Sequence, residues 1–84
     1  MTQHSKLLGK AQRNPAGLRF AELCNLAQQL GFVLDRTRGS HFIFKHPGLM
    51  RPLNFQNVDG ETKPFQVKQL LDAAEELGLI TRDE

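Results

Sequence analysis

The fold is decided by residues 31–56, GFVLDRTRGSHFIFKHPGLMRPLNFQ, where the apolar spacing changes from the period of a helix to that of a strand. Large apolar side chains alternate there with other residues in three runs, at Phe32 and Leu34, at Phe42 and Phe44, and at Leu53 and Phe55. Turn residues separate the runs, and connections this short join antiparallel strands because parallel strands need a long crossover. The stretch therefore predicts three short antiparallel strands.

Helical periodicity flanks this stretch on both sides. Residues 18–30 and 64–77 carry apolar side chains at helical spacing, and each run is followed by a glycine suited to a helix end. A shorter helix is expected over residues 3–12, before Pro15 interrupts it. The predicted fold class is α+β, a three-stranded antiparallel sheet with helices on one face in the order α-β-β-β-α, plus an extra N-terminal helix. The other face of the sheet is expected to be open to solvent.

The length and composition describe one small globular domain. The chain has 84 residues, of which 39% are hydrophobic and 24% charged, which excludes a multi-domain enzyme, a disordered chain and a membrane span. The N-terminal residues lack the apolar segment of a secretory signal, and Cys24 has no second cysteine to pair with. We therefore expect a cytoplasmic protein without membrane contact.

The net charge of +2 conceals an uneven distribution along the chain. Residues 1–30 carry four Lys or Arg against one Glu, and residues 31–68 carry six against three acids. Residues 69–84 carry one Arg against five acids. A basic front and middle beside an acidic end can attract a polyanion to one surface while the overall charge stays small.

The apolar pattern also predicts a register for the first hairpin. A three-residue loop over residues 37–39, with Gly39 in the left-handed conformation, directs the large aromatic side chains of the hairpin to the core. This register places Asp35 opposite His41 on the open face. A two-residue loop of Arg38-Gly39 would set Asp35 beside Phe42 and is disfavoured for that reason.

His41 is the residue best suited to acid–base chemistry near neutral pH. It lies within residues 36–51, which contain four Lys or Arg and no acid. A base that removes the proton of a 2′-hydroxyl lets RNA cleave itself without a metal, so RNA is the expected polyanion, and Asp35 is expected to orient the ring.

His46 is five positions from His41, an odd number, and should face the opposite side of the strand. With no cluster of ligands around either ring, we expect no metal and no cofactor.

Lys45 and Cys24 are expected to have roles other than catalysis. Lys45 should lie about 13 Å along the strand from His41, a separation that suits a neighbouring phosphate. Cys24 falls in the apolar stripe of a helix, which predicts a packed thiol and not a nucleophile.

Three segments together resemble a known family, the HicA (YcfA-like) toxins. They are Leu30-Gly31-Phe32, residues 36–47, RTRGSHFIFKHP, and residues 64–71, PFQVKQLL. The resemblance extends over roughly residues 18–80, and the Gly-Ser-His core followed by alternating aromatics and His-Pro is its most specific part.

The resemblance implies a fold like the double-stranded-RNA-binding domain and an mRNA interferase toxin of a type II toxin–antitoxin module. Such a toxin cleaves mRNA independently of the ribosome, arrests growth and is neutralised by a HicB antitoxin. His41 matches the catalytic histidine of the family, Gly39 its motif glycine, and Arg38 the basic residue before it. The substrate-binding residues expected here are Arg36, Arg38, Gly39, Ser40 and Lys45.

The resemblance also suggests how the chain is organised. A HicA-like domain is expected over residues 18–80, with a helical N-terminal extension over residues 1–17 and a C-terminal tail over residues 81–84. The extension goes beyond the minimal toxin.

Two other functions fit the same residues. One is a non-catalytic RNA-binding module that uses Arg36, Arg38, Lys45 and Lys68, and the other is a protein-interaction domain whose basic face binds an acidic partner. RNA cleavage that depends on His41 would separate the toxin from both.

Overall fold

The computed structural model describes the backbone of residues 3–80 and the side chains from Lys6 to Ile80. Residues 81–84, expected to form a C-terminal tail, lie outside the described residues. The elements are, in chain order, α1 (Gln3–Arg13), a 3₁₀ turn (Pro15–Gly17), α2 (Phe20–Gln29), β1 (Val33–Arg38), β2 (His41–His46), β3 (Leu49–Gln56) and α3 (Pro64–Glu76). This arrangement confirms the α+β class and the extra N-terminal helix. No helix within residues 3–80 has the length and apolar character needed to cross a membrane.

Glycines end α2 and α3. Gly31 has a φ of 98° and Gly78 a φ of 74°, a region that only glycine adopts readily. The residue after each glycine donates its N–H back into the last turn, from Phe32 to the Ala27 carbonyl at 2.9 Å and from Leu79 to the corresponding carbonyl of α3 at 2.8 Å. Both ends therefore satisfy carbonyls that the helix leaves without partners.

The sheet packs its aromatic face against the helices. Strand order is β1-β2-β3 with both pairs antiparallel, as predicted. Phe44 and Phe55 are fully buried with ring centroids 5.7 Å apart, and Phe42 meets Phe20 of α2 edge-on at 4.9 Å. The buried set also includes Phe32, which lies between α2 and β1. These rings make one core with the apolar faces of the helices.

The predicted register of the first hairpin is wrong. The strands pair through Leu34 with Phe44 and then through Arg38 with His41, which leaves Gly39 and Ser40 as a two-residue loop. Gly39 has a φ of 59°, the conformation that the first residue of a type II′ turn requires. The register shifts between Leu34 and Arg36, so Asp35 is the extra residue of a β-bulge. The bulge allows the tight Gly39-Ser40 turn to form while the aromatic side chains of β2 stay buried. A regular β1 could not satisfy both.

Helix α1 is joined to the rest of the fold by packing and by charge. Ala11 is fully buried in the common core, and Leu7 and Leu8 pack against it. Lys10 Nζ lies 3.0 Å from each carboxylate oxygen of Glu22 on α2. Helix α1 therefore shares one core with the rest of the fold.

Candidate functional site

The side of the sheet turned away from the helices, called the open face here, collects polar and basic residues. The register places the following side chains on it: Val33, Arg36, Arg38, His41, Ile43, Lys45, Asn54 and Gln56. Most of them are exposed. The predicted His41 and the predicted basic residues Arg36, Arg38 and Lys45 therefore share one accessible surface.

His41 is held by an amide on the neighbouring strand. Its Nδ1 lies 3.0 Å from Oδ1 of Asn54, and the tautomer with its proton on Nδ1 donates a hydrogen bond to this oxygen, which can only accept. In the neutral ring Nε2 is then left with a free lone pair, which is the form that a general base needs. The predicted contact between Asp35 and His41 is wrong, because the bulge moves Asp35 out of register with it.

The bulge decides where the two arginines point. Side chains alternate along a strand, so a regular β1 would place Arg36 and Arg38 on the same face as Leu34, which pairs with buried Phe44. The extra residue at Asp35 reverses the alternation and brings both arginines to the open face. Arg38 becomes the direct cross-strand neighbour of His41. Arg36 lies two positions further along β1, opposite Ile43.

Asp35 lies beside the cations and not beside the histidine. Its Oδ2 is 3.7 Å from Lys45 Nζ and 3.9 Å from Arg36 Nε. Both cationic side chains are at least 60% exposed, so these pairs contribute little to stability. Asp35 partly neutralises one end of the basic surface.

The loop between β1 and β2 is anchored at its tip. The carbonyl of Ser40 accepts a hydrogen bond from the N–H of Asn57 at 2.8 Å, which ties the loop to the end of β3. Gly39 and Ser40 are exposed, and a Cβ added to Gly39 would meet no atom within 4 Å. Gly39 is therefore required by its backbone conformation and not by lack of space.

Two basic residues considered in the sequence lie away from the open face. Arg51 reaches Glu76 of α3 at 3.4 Å, and Lys68 lies on α3 itself. The fold therefore does not place Lys68 on the same surface as the arginines of β1.

His46 has a structural contact instead of a place beside His41. Its ring packs against Phe32 with centroids 5.0 Å apart, and Nδ1 accepts the N–H of Gly48 at 3.0 Å. The two histidine rings lie on opposite faces of the sheet. Among residues 3–80, no group of three or more His, Cys, Asp and Glu side chains is placed to hold a metal ion.

Cys24 is unsuited to nucleophilic chemistry. It is half-buried in α2, and burial raises the pKa of its thiol to about 11. The thiol is therefore protonated at neutral pH.

Asn54 is the residue of the site that sequence reasoning did not identify. Its alternation with Leu53 and Phe55 predicts an outward side chain, but contact with His41 depends on the pairing of β2 with β3. That register shifts between Phe44 and His46, so the position of the turn between β2 and β3 does not predict which residue lies opposite His41 or beside it.

Comparison with known proteins identifies a family. The family model described as HicA toxin of bacterial toxin-antitoxin matches residues 20–78, more than two thirds of the 84-residue chain. The matched segment contains the whole sheet and the open face. No curated protein and no solved structure matches the chain.

Proposed function

Because the chain belongs to the HicA toxin family, we propose that it is the endoribonuclease toxin of a toxin–antitoxin pair, with mRNA as its substrate and the cytoplasm as its site of action. The observation that supports this most is the setting of His41. The ring is exposed, and its Nδ1 is hydrogen-bonded to Asn54, which leaves the lone pair of Nε2 to accept a proton. The proposal requires no cofactor.

The proposed reaction is an internal transfer within the RNA. His41 Nε2 takes the proton of a 2′-hydroxyl, and the 2′-oxygen forms a bond to the adjacent phosphorus. The bond from phosphorus to the 5′-oxygen breaks, and that oxygen takes a proton from solvent. The products are a 2′,3′-cyclic phosphate and a 5′-hydroxyl end. Arg38 is the cross-strand neighbour of His41. In this proposal its guanidinium stabilises the charge that develops on the phosphate oxygens.

Substrate binding should be mainly electrostatic. All six phenylalanines lie off the open face among the described residues, and the chain has no Trp or Tyr, so among the described residues this surface offers no Phe, Tyr or Trp ring for base stacking. Arg36, Arg38 and Lys45 would bind phosphates, and the backbone of Gly39 and Ser40 would approach the RNA closely. Affinity is therefore expected to fall steeply with salt.

The test is cleavage of a defined RNA by the purified chain in the presence of a chelator. Wild type should release 2′,3′-cyclic phosphate ends, and the His41→Ala variant should be slower by at least about 100-fold. Thr37→Ala, a change on the same hairpin at a residue that faces away from the open face, is the matched control and should keep full activity. An RNA with a 2′-deoxy sugar at the cleaved position should stay intact.

The outcomes separate the three candidate functions. Equal cleavage by His41→Ala, or strict dependence on added metal, would contradict the proposed mechanism. Salt-sensitive RNA binding without products would indicate the non-catalytic RNA-binding module. Absence of RNA affinity would leave the protein-interaction domain.

A HicB-type antitoxin is the proposed protein partner. Acidic side chains that cover Arg36 and Arg38 would also shield His41 from RNA. The product of an adjacent reading frame should therefore inhibit cleavage when mixed with the chain in equal amounts, and inhibition should weaken for the Arg36→Gln and Arg38→Gln variants.

A further inference from the structure

A groove runs between the N-terminal part of the chain and α3, on the helical side of the molecule. It encloses about 570 Å³ and is lined by residues of α1, the 3₁₀ turn and α3. Its walls are mainly apolar, with Ala11 and Pro15 on one side and Leu71 and Phe65 on the other. Because α1 and the 3₁₀ turn precede the matched family segment, half of this groove comes from outside it.

Phe65 is the most unusual residue of the groove. It occupies the first turn of α3 and is 58% exposed, whereas four of the six phenylalanines are buried. An exposed aromatic ring next to an apolar groove is typical of a contact for a partner side chain.

The charged side chains that line the groove are positive. Arg13 and Lys68 both line it and are exposed, and no Asp or Glu lines it among the described residues. Asp72 follows one turn after Lys68 on α3 but does not line the groove. Two cations beside apolar walls complement a segment that carries carboxylates next to an apolar side chain. RNA fits this surface poorly, since two cations offer few phosphate contacts.

We propose that the groove between α1 and α3 binds an acidic peptide segment of a protein partner, with an apolar side chain placed against Phe65 and carboxylates at Arg13 and Lys68. This site is separate from the open face. It gives the N-terminal extension a binding role in addition to the packing of Ala11.

The test uses a phage-displayed library of random 12-residue peptides selected on the full chain. Peptides are counter-selected on an Arg13→Glu, Lys68→Glu double variant, and the affinity of a consensus peptide is measured by fluorescence anisotropy. We expect a consensus of Asp or Glu beside a large apolar residue. The double variant and Phe65→Ala should each weaken its binding by about tenfold or more. An Arg36→Glu, Arg38→Glu variant on the open face is the matched control and should bind it unchanged.

Four outcomes would overturn the proposal. They are a consensus without acids, equal binding to the double variant, displacement of the peptide by a 12-nucleotide RNA, and a dimer of the chain that the double variant dissociates. The last two would assign the groove to nucleic acid or to a second copy. Should charge reversal lower the thermal midpoint, Arg13→Ala with Lys68→Ala replaces it, with a smaller loss of affinity expected.

Discussion

Nδ1 of His41 and Oδ1 of Asn54 lie 3.0 Å apart across the pair formed by β2 and β3. A neutral amide therefore fixes the ring, in contrast to the carboxylate that many catalytic histidines use. The amide orients the ring without adding negative charge to a surface that we propose binds phosphates. In the proposed mechanism, orientation of the base and attraction of the substrate are thus compatible.

Replacing Asn54 by Leu should lower kcat for RNA cleavage by about 3- to 10-fold, the equivalent of one hydrogen bond. KM should stay unchanged, because Asn54 orients His41 and is not needed to bind phosphate. Asn54→Asp keeps an acceptor oxygen and should retain most of the kcat. A loss of kcat in Asn54→Asp as large as that in Asn54→Leu would contradict the orienting role.

Replacing Asp35 by Asn should tighten RNA binding by about 2- to 3-fold at low salt, because the carboxylate beside Lys45 and Arg36 opposes the attraction of phosphates. The difference should fade at high salt as the charges are screened. Glu76→Gln removes the same charge on the helical side and serves as the control. Equal tightening in both variants would show that net charge matters and position does not.

Replacing Gln66 by Leu should lower the free energy of unfolding by about 2 kcal/mol. The Gln66 side chain is buried, accepts the backbone N–H of Gln56 and donates Nε2 to its carbonyl at 3.2 Å, so the change leaves two backbone groups of β3 without partners. Urea unfolding measures the loss. Gln69→Leu, at an exposed position of the same helix, should change stability by less than about 0.5 kcal/mol. A similar small effect at Gln66 would contradict the role of its hydrogen bonds.

The contact of α1 with α2 should weaken in acid. The backbone N–H of Arg19 and the ammonium of Lys10 hold the pKa of the Glu22 carboxyl below its ordinary value of 4.5. A lowered pKa in the folded state means that stability is gained above about pH 4.5 and lost as the pH falls through the folded pKa. Urea unfolding between pH 3 and 7 should therefore show wild type more stable than Glu22→Gln at neutral pH, and the difference should shrink below pH 4.5. A difference independent of pH would contradict this.

Local signals in the sequence were sufficient for the helices and for the strand order. Gly31 and Gly78 end helices because their conformation is available to glycine, a property that depends on one residue and its neighbours. Alternating large apolar side chains likewise identify the buried faces of β2 and β3 without knowledge of the partner strand. His41 was selected for its acid–base chemistry and the basic residues for their place in a stretch without acids, whereas the face on which Arg36 and Arg38 lie depends on the bulge.

Pairing between strands was harder to predict. The bulge at Asp35 arises from competition between a tight Gly39-Ser40 turn and the burial of aromatics on β2, and neither preference alone reveals it. Gln66 reads as a polar interruption in a helix until its partner on β3 is known. Asn54 has the same difficulty. Each of these residues acts through a contact distant in sequence.

The bulge in β1 also determines how this segment can change through mutation. Substitutions at Arg36 or Arg38 alter charge while leaving every neighbour on its own side of the sheet. An insertion of one residue after the bulge would instead move every side chain between the insertion and the turn to the opposite face of the sheet. Libraries that diversify the segment should therefore vary residue identity and keep its length constant.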